Sequence, residues 1–316
     1  MVNTLNRRRF LHCTMAGAAA AGLPGMVVRA QGYGAAAPLT AQPLNDRITV
    51  IQGAGTNVVA LRGADGVALV DGGLREHNAE LLELVSTLGG GPSPRVEVLF
   101  NSNWRAEHTG LNAHVNGNGG RTIAHINTWL WMGNDFTVEW ENLGHKPQPK
   151  DELPSHTFYT EESLDFGGEA VRYGHLAQAH TDGDIYVHFP DSNVLVASDL
   201  LAVSTYPVVD YVTGGWLGGL ERATQALLEL TDANTQIVPA HGPVQKRAAL
   251  EKQLEFAKAL KDTVGSMIKN GRSIEEVIEA RPTRDFDVNW EGDAELFLRL
   301  AYQGLYGHIR ELGGVL

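Results

Sequence analysis

Four widely separated positions in this 316-residue chain carry side chains able to hold a metal ion or move a proton: His108, His180, Asp199 and His241. Each lies in a short segment of ligand-loop character. These are Asn103-Trp104-Arg105-Ala106-Glu107-His108-Thr109-Gly110, Ala179-His180-Thr181-Asp182-Gly183-Asp184, Ala197-Ser198-Asp199-Leu200 and Pro239-Ala240-His241-Gly242. Imidazole and carboxylate are the donors zinc takes where thiolate is absent. A lone histidine among the twelve in the chain is an ordinary polar loop residue. Four such segments, each at the end of an expected strand, carry far more weight.

Those segments need elements to hold them. Short β-branched runs at Ile48–Gln52, Asn57–Leu61 and Val67–Asp71, divided by glycine-rich turns, predict a meander of strands. Leu74–Leu88 has helical apolar spacing and stops at Gly89-Gly90-Gly91. Val96–Phe100 is a strand that delivers the chain into the first ligand-like loop, followed by a helix starting at Leu111–Val115 and a strand at Thr122–Ala124. Residues 127–155, with three tryptophans and scattered charge, read as an insertion or lid. The pattern then repeats, with strands at Ser163–Phe166, Ala170–His175, Ile185–Phe189, Val194–Ala197 and Gln236–Val238. Helices follow at about Gly218–Leu230, Pro243–Lys269, Ser273–Ala280 and Ala294–Leu312. Two β-rich halves face to face with helices outside is the α/β architecture this order implies.

The first 30 residues stand apart. Arg7-Arg8-Arg9-Phe10-Leu11, then an Ala/Gly-rich apolar run, then Val28-Arg29-Ala30 read as a twin-arginine export signal with a small-residue cleavage site. The run is too short and too rich in Ala and Gly for a membrane anchor. The expectation is a periplasmic protein starting near Gln31, with an irregular linker over 31–45 and one domain over 46–316. Processing would remove the only cysteine, Cys13, and four arginines, leaving 21 basic against 37 acidic residues, a net charge of −16. A surface this acidic excludes nucleic acid and anionic membrane as natural partners. Any metal would rest on histidine and carboxylate alone.

The first segment resembles the His-x-His-x-Asp-His-x-Gly motif of the metallo-β-lactamase-fold hydrolases, and the other three match that family in order. The resemblance covers roughly residues 46–245. It implies a four-layer αββα sandwich with a metal centre at one edge of the two sheets, and a common C-terminal helical extension. In that family two metal positions share a bridging aspartate. Carried over residue by residue, the first position falls on Asn103, Arg105 and His180, where only His180 is a competent ligand. An amide is a poor zinc ligand, and a guanidinium repels the ion. The second position falls on Glu107, His108 and His241, with Asp199 beside them, and all four are competent. Asp71, in Val70-Asp71-Gly72-Gly73, resembles the family's early Asp-Gly turn that supports the ligand loops.

The resemblance implies a hydrolase of a small ester, thioester, lactone or lactam that uses water on a single ion, zinc or another divalent metal. Arg105 would act as a fixed cation in the place of the first ion, and His180 as a general base or hydrogen-bond donor. The competing reading is a non-catalytic binding protein that keeps the fold and holds an anionic ligand with Arg105. Asp182 and Asp184 are expected to shape the turn after His180, and His125, His175 and His188 to be structural.

Overall fold

The structure, a computed structural model, describes residues 38–64, 66–88 and 95–311, and every statement below concerns these. The signal expected over 1–30 and the glycine stop at 89–91 lie outside them.

The first sheet contains β1 (Thr40–Pro43), β2 (Ile48–Gln52), β3 (Val58–Arg62), β4 (Gly66–Val70), β5 (Arg95–Phe100), β6 (Arg121–His125) and β9 (His156–Phe158), in that spatial order. Its first four strands pair antiparallel, and β4-β5, β5-β6 and β6-β9 pair parallel. The parallel pairs need crossovers. The first crossover contains helix α1 (Asn78–Leu88). The second contains two short helices, α2 (Ala106–Thr109) and α3 (Asn112–Gly117). The second sheet runs β10 (Glu161–Phe166), β11 (Glu169–His175), β12 (Ile185–Phe189), β13 (Val194–Ser198) and β14 (Gln236–Pro239).

Alternation along the strands builds the layers. Ile48, Val50, Val59, Leu61, Ala68 and Val70 face the second sheet, where Val171, Tyr173, Val187, Phe189, Val194 and Val196 meet them. The intervening Ile51, Val58, Ala60, Val67 and Leu69 face the opposite way, onto Leu81 and Val85 of α1 and Val115 of α3. On the far side of the second sheet, Leu195, Ala197 and Ile237 pack against Ala223 and Leu227 of the helix Leu217–Glu229. Helix, sheet, sheet, helix is the expected αββα sandwich. The helices Arg247–Lys269, Ile274–Ala280 and Ala294–Glu311 share an apolar cluster around Phe256, Phe297 and Trp290 with Leu217 and Leu220.

Three local differences from the sequence expectation have plain causes. Residues 40–43, expected within a linker, form the exposed edge strand β1 by adding to the free side of β2, and Pro43 is tolerated because it sits on an edge. The helix expected from Pro243 begins at Arg247, because Gln245 exchanges backbone hydrogen bonds with Ile237. Residues 127–155 contain more regular structure than an irregular insertion. They hold the end of helix α4 (Ile126–Met132) and a hairpin of β7 (Phe136–Val138) and β8 (Leu143–His145) that pairs with neither main sheet.

Candidate functional site

Each of the four segments follows a strand, and the sandwich brings their chain ends to one edge. The loop after β5 turns on Asp71, a fully buried residue just past β4 whose φ of 65° lies in the left-handed region. Such a backbone is strained for most residues and tolerable for Asp. Asp71 Oδ1 accepts the Ser102 N–H at 2.8 Å, and its Oδ2 accepts the hydroxyls of Ser102 and Ser198, both at 3.0 Å. The same Oδ2 lies 3.0 Å from His108 Nδ1. Ser198, at the end of β13, is also left-handed, with a φ of 48°. One buried carboxylate thus ties the ends of β4, β5 and β13 together and fixes the ring of His108.

The other face of that ring meets Asp199, with His108 Nε2 2.8 Å from Asp199 Oδ2. The approach falls outside hydrogen-bond geometry, so Nε2 is a buried nitrogen without a proper partner. Burial lowers the proton affinity of His108, but Asp71 and Asp199 outweigh it and hold its pKa well above the usual value. Burial pushes the Asp199 carboxyl up, and the nearby imidazoles of His108 and then His180, with a smaller share from His241, bring it well below its usual value. Asn103 completes this group. Its Nδ2 donates to Asp199 Oδ2 at 2.8 Å, and its Oδ1 accepts the Arg105 backbone N–H at 3.0 Å.

His180 lies in the loop before β12. Its Nδ1 is 2.9 Å from the Val208 carbonyl, which makes Nδ1 the protonated nitrogen and Nε2 the acceptor. That acceptor receives the Arg105 Nε–H at 3.1 Å. The loop is backed tightly: a Cβ on Gly215 would come within 2.0 Å of the His180 carbonyl oxygen, so only glycine lets the two segments meet. Arg105 continues outward. Its guanidinium reaches Glu141 Oε1 at 2.7 Å and lies 3.7 Å from Asp210 Oδ2, over the faces of Trp104 and Trp140 at 5.1 and 5.4 Å. Burial lowers the Arg105 pKa, while Asp210, Glu141 and Glu107 raise it further, so the guanidinium stays charged.

The remaining expected ligands are less closely drawn in. Glu107 is half-buried on α2, where its charge bears on Arg105. The His241 backbone is anchored across the edge, since Asn57 and Thr56 donate to the carbonyls of Pro239, Ala240 and Gly242, but its side chain is exposed. Asp184 receives the backbone N–H and hydroxyl of Thr181, and Asp182 receives the Trp131 indole N–H, so both shape the turn as expected. His125 and His175 stack with their ring centroids 3.5 Å apart, a structural pair.

Among the described residues, no three His, Cys, Asp or Glu side chains converge well enough to hold a metal ion. The donor chemistry says why. At the first position both polar ends of Asn103 are used, and the His180 lone pair is capped by a cation. At the second, only His108 and Asp199 are within reach of one another. As arranged, these residues do not fit the family's metal centre. Sequence reasoning missed Glu141 and Asp210, because they lie far from the motif and carry no spacing signal. It missed Ser102 and Ser198 because serines adjoining a ligand loop look like ordinary polar residues.

Residues 51–241 match the family described as the metallo-beta-lactamase superfamily. No curated protein is similar enough to the chain to count as a match. Solved structures are. A metallo-beta-lactamase from Pontibacter korlensis is 19% identical with a TM-score of 0.55, over 70% of this chain and 99% of that one. The inverting sec-alkylsulfatase Pisa1 from Pseudomonas sp. is 14% identical with a TM-score of 0.61, over 88% of this chain and 51% of that one. FIM-1 from Pseudomonas aeruginosa, in a mono-zinc form, is 17% identical with a TM-score of 0.53, over 70% of this chain and 96% of that one. At these identities the likeness is one of fold.

Proposed function

This chain belongs to the metallo-β-lactamase superfamily, and we propose that within it the chain is a ligand-binding protein whose family metal centre has been replaced by a metal-free polar network. The superfamily consists mainly of hydrolases that characteristically hold zinc. The observation that carries the proposal is the Arg105 Nε–H on His180 Nε2. It puts a permanent cation where a first-position ion would need that nitrogen's lone pair. Glu141 and Asp210 answer the charge of Arg105, so an anionic ligand would compete with two carboxylates already in place. That favours a neutral ligand over the anion expected of this position.

A second reading rests on its own observation. His108 Nε2 is buried without a proper partner, backed by Asp71 at Nδ1 and facing Asp199, as in the carboxylate–histidine pairs that support metal ligands. It makes the chain a single-metal hydrolase of a small ester, thioester, lactone or lactam. His108 and Asp199 would be the nucleus of the centre, and Glu107 and His241 would have to move inward.

Metal content measured on the purified protein, with turnover of an ester, thioester, lactone and lactam panel, separates the two. Substoichiometric zinc and no turnover support the binding reading. One ion per chain, with activity lost on chelation and restored by zinc, overturns it in favour of the second. The export signal is part of the same proposal. Changing Arg7 and Arg8 to Lys is expected to retain unprocessed precursor in the cytoplasm, and continued export would rule out the twin-arginine route.

A further inference from the structure

Trp104 stands between Asn103 and Arg105 and is 5% exposed, yet its Nε1–H has no hydrogen-bond partner among the described residues. His145 Nε2, on the β7–β8 hairpin, is likewise buried and unpartnered. The two rings meet edge to face with centroids 4.8 Å apart. Phe136 lies against both, 5.0 Å from Trp104 and stacked at 4.7 Å on His145. Buried polar groups are nearly always paired, so two orphans in one aromatic cluster require a reason. Both residues line a cleft of about 220 Å³, walled on its apolar side by Trp131, Met132 and Phe136.

We propose that this cleft is a subsite for a neutral, planar aromatic carbonyl compound, its ring against Trp104, Trp131 and Phe136 and its oxygen accepting from Trp104 Nε1. The inference rests on the ligand-binding reading above and names the class of ligand. An indole N–H only donates, so its missing partner is an acceptor. The walls are aromatic, which favours a flat ring. The two cations that line the cleft are paired, Arg75 with Glu152 and Lys146 with Asp135. Burial also keeps His145 below its usual pKa, so it offers no positive charge at neutral pH. The ligand is therefore neutral. The volume is below the roughly 300–1,000 Å³ of drug-sized sites, which limits the ligand to one ring system with a short substituent. Both nitrogens are shielded from solvent, so entry requires the β7–β8 hairpin to lift away from Trp104. The hairpin's strands pair only with each other, so lifting breaks no main-sheet hydrogen bond, but it must release Glu141, in the turn between the strands, from Arg105 and Trp140 Nε1 from Asp210.

The test is titration of the full chain with acetophenone, followed on the indole N–H resonances in proton–nitrogen correlation spectra. A saturable downfield shift of one indole resonance, lost in Trp104→Phe, is expected. That variant keeps an aromatic ring, though a smaller one, and removes the donor, and it is expected to weaken acetophenone about tenfold. Ethylbenzene, the same ring without the oxygen, is expected to bind at least tenfold more weakly than acetophenone. No saturable shift, equal affinity for ethylbenzene, or unchanged binding in Trp104→Phe would overturn the subsite. If Trp104→Phe does not fold, the wild-type shift and the ethylbenzene comparison still decide. Zinc-dependent turnover alongside acetophenone binding would overturn the metal-free reading and support the subsite. A metal-free, inactive protein that ignores acetophenone would do the reverse.

Discussion

Asn103 bridges Arg105 and Asp199 with the two ends of one amide: its Oδ1 accepts the Arg105 N–H at 3.0 Å and its Nδ2 donates to Asp199 Oδ2 at 2.8 Å. The Asn103 amide is therefore satisfied without an ion. Replacing only Asn103 by His leaves Arg105 on His180 and is expected to bring in no metal. Asn103→His combined with Arg105→His frees His180 Nε2 and supplies three imidazoles, the donor set that suits zinc. Elemental analysis of the double variant after zinc loading should show one more ion per chain than the wild type. No gain in a folded double variant would mean that the loop backbone cannot present the set.

Arg105 also holds two acidic residues in place from elements distant in sequence. Arg105→Ala leaves Glu141, and Asp210, whose side chain is fully buried, without that cation. Removing one member of a buried ion pair typically costs about 3–5 kcal/mol. Because Glu141 keeps some solvent contact, about 2–4 kcal/mol is expected here, read as a lower urea midpoint. Arg105→Lys should recover only part of the loss, since one ammonium cannot reproduce the guanidinium's reach to His180 and Glu141 together. Equal stability of wild type and Arg105→Ala would show that the network contributes nothing to the fold.

The fold was legible because its signals are local and periodic. Val59, Leu61, Ala68 and Val70 alternate with Val58, Ala60, Val67 and Leu69, which divides them between two faces; because both sets are apolar, which face meets the second sheet emerges only in the fold. Half of the site was legible for the same reason: Asn101–His108 follows a strongly patterned strand, so its motif stands at a predictable strand end. The other half depends on tertiary placement. Glu141 and Trp140 come from the 3-10 turn Glu139–Glu141 between β7 and β8, short elements with little propensity of their own. Asp210 looks like any loop aspartate until the fold buries it beside Arg105. The ligand types at 107, 108, 199 and 241 were readable, but not how far apart they stand. The exposed side chain of His241 shows that a family-ordered histidine need not be drawn in with the rest.

Asp71 offers a substitution that isolates one charge. Asn fits the left-handed backbone at this position about as well as Asp, so Asp71→Asn should not strain the turn. It should disturb the bonds from Ser102 and Ser198 and remove the charge facing His108 Nδ1. A loss of about 2–4 kcal/mol is expected from urea unfolding, from a buried imidazolium left with Asp199 as its one facing carboxylate and a weakened hydroxyl pair. The Tm should fall without a change in secondary structure by circular dichroism. A variant as stable as the wild type would show that Asp71 does not clamp β4, β5 and β13.

The stacked pair His125 and His175 sets an acid limit. Burial first, then the neighbouring His175, lowers the His125 pKa from 6.5 to about 3, and burial lowers that of His175 too. In the unfolded chain both would take a proton near pH 6.5. The folded chain resists, so the unfolded state binds more protons and stability falls as pH drops below 6.5 toward 3. Each such group contributes a slope of up to about 1.4 kcal/mol per pH unit. Asp182 and Asp184 act in the opposite sense. Burial raises them to about 7 and about 6, so the folded chain takes up their protons before the unfolded one. The net slope of the wild type is thus partly cancelled, and the histidine share is read by difference. His125→Gln with His175→Gln should lower stability at pH 7.5 through lost packing, yet lose less of what remains between pH 6.5 and 4.5. Urea unfolding at half-unit steps measures this. Parallel curves for the two proteins would show that the stacked histidines do not set the acid limit.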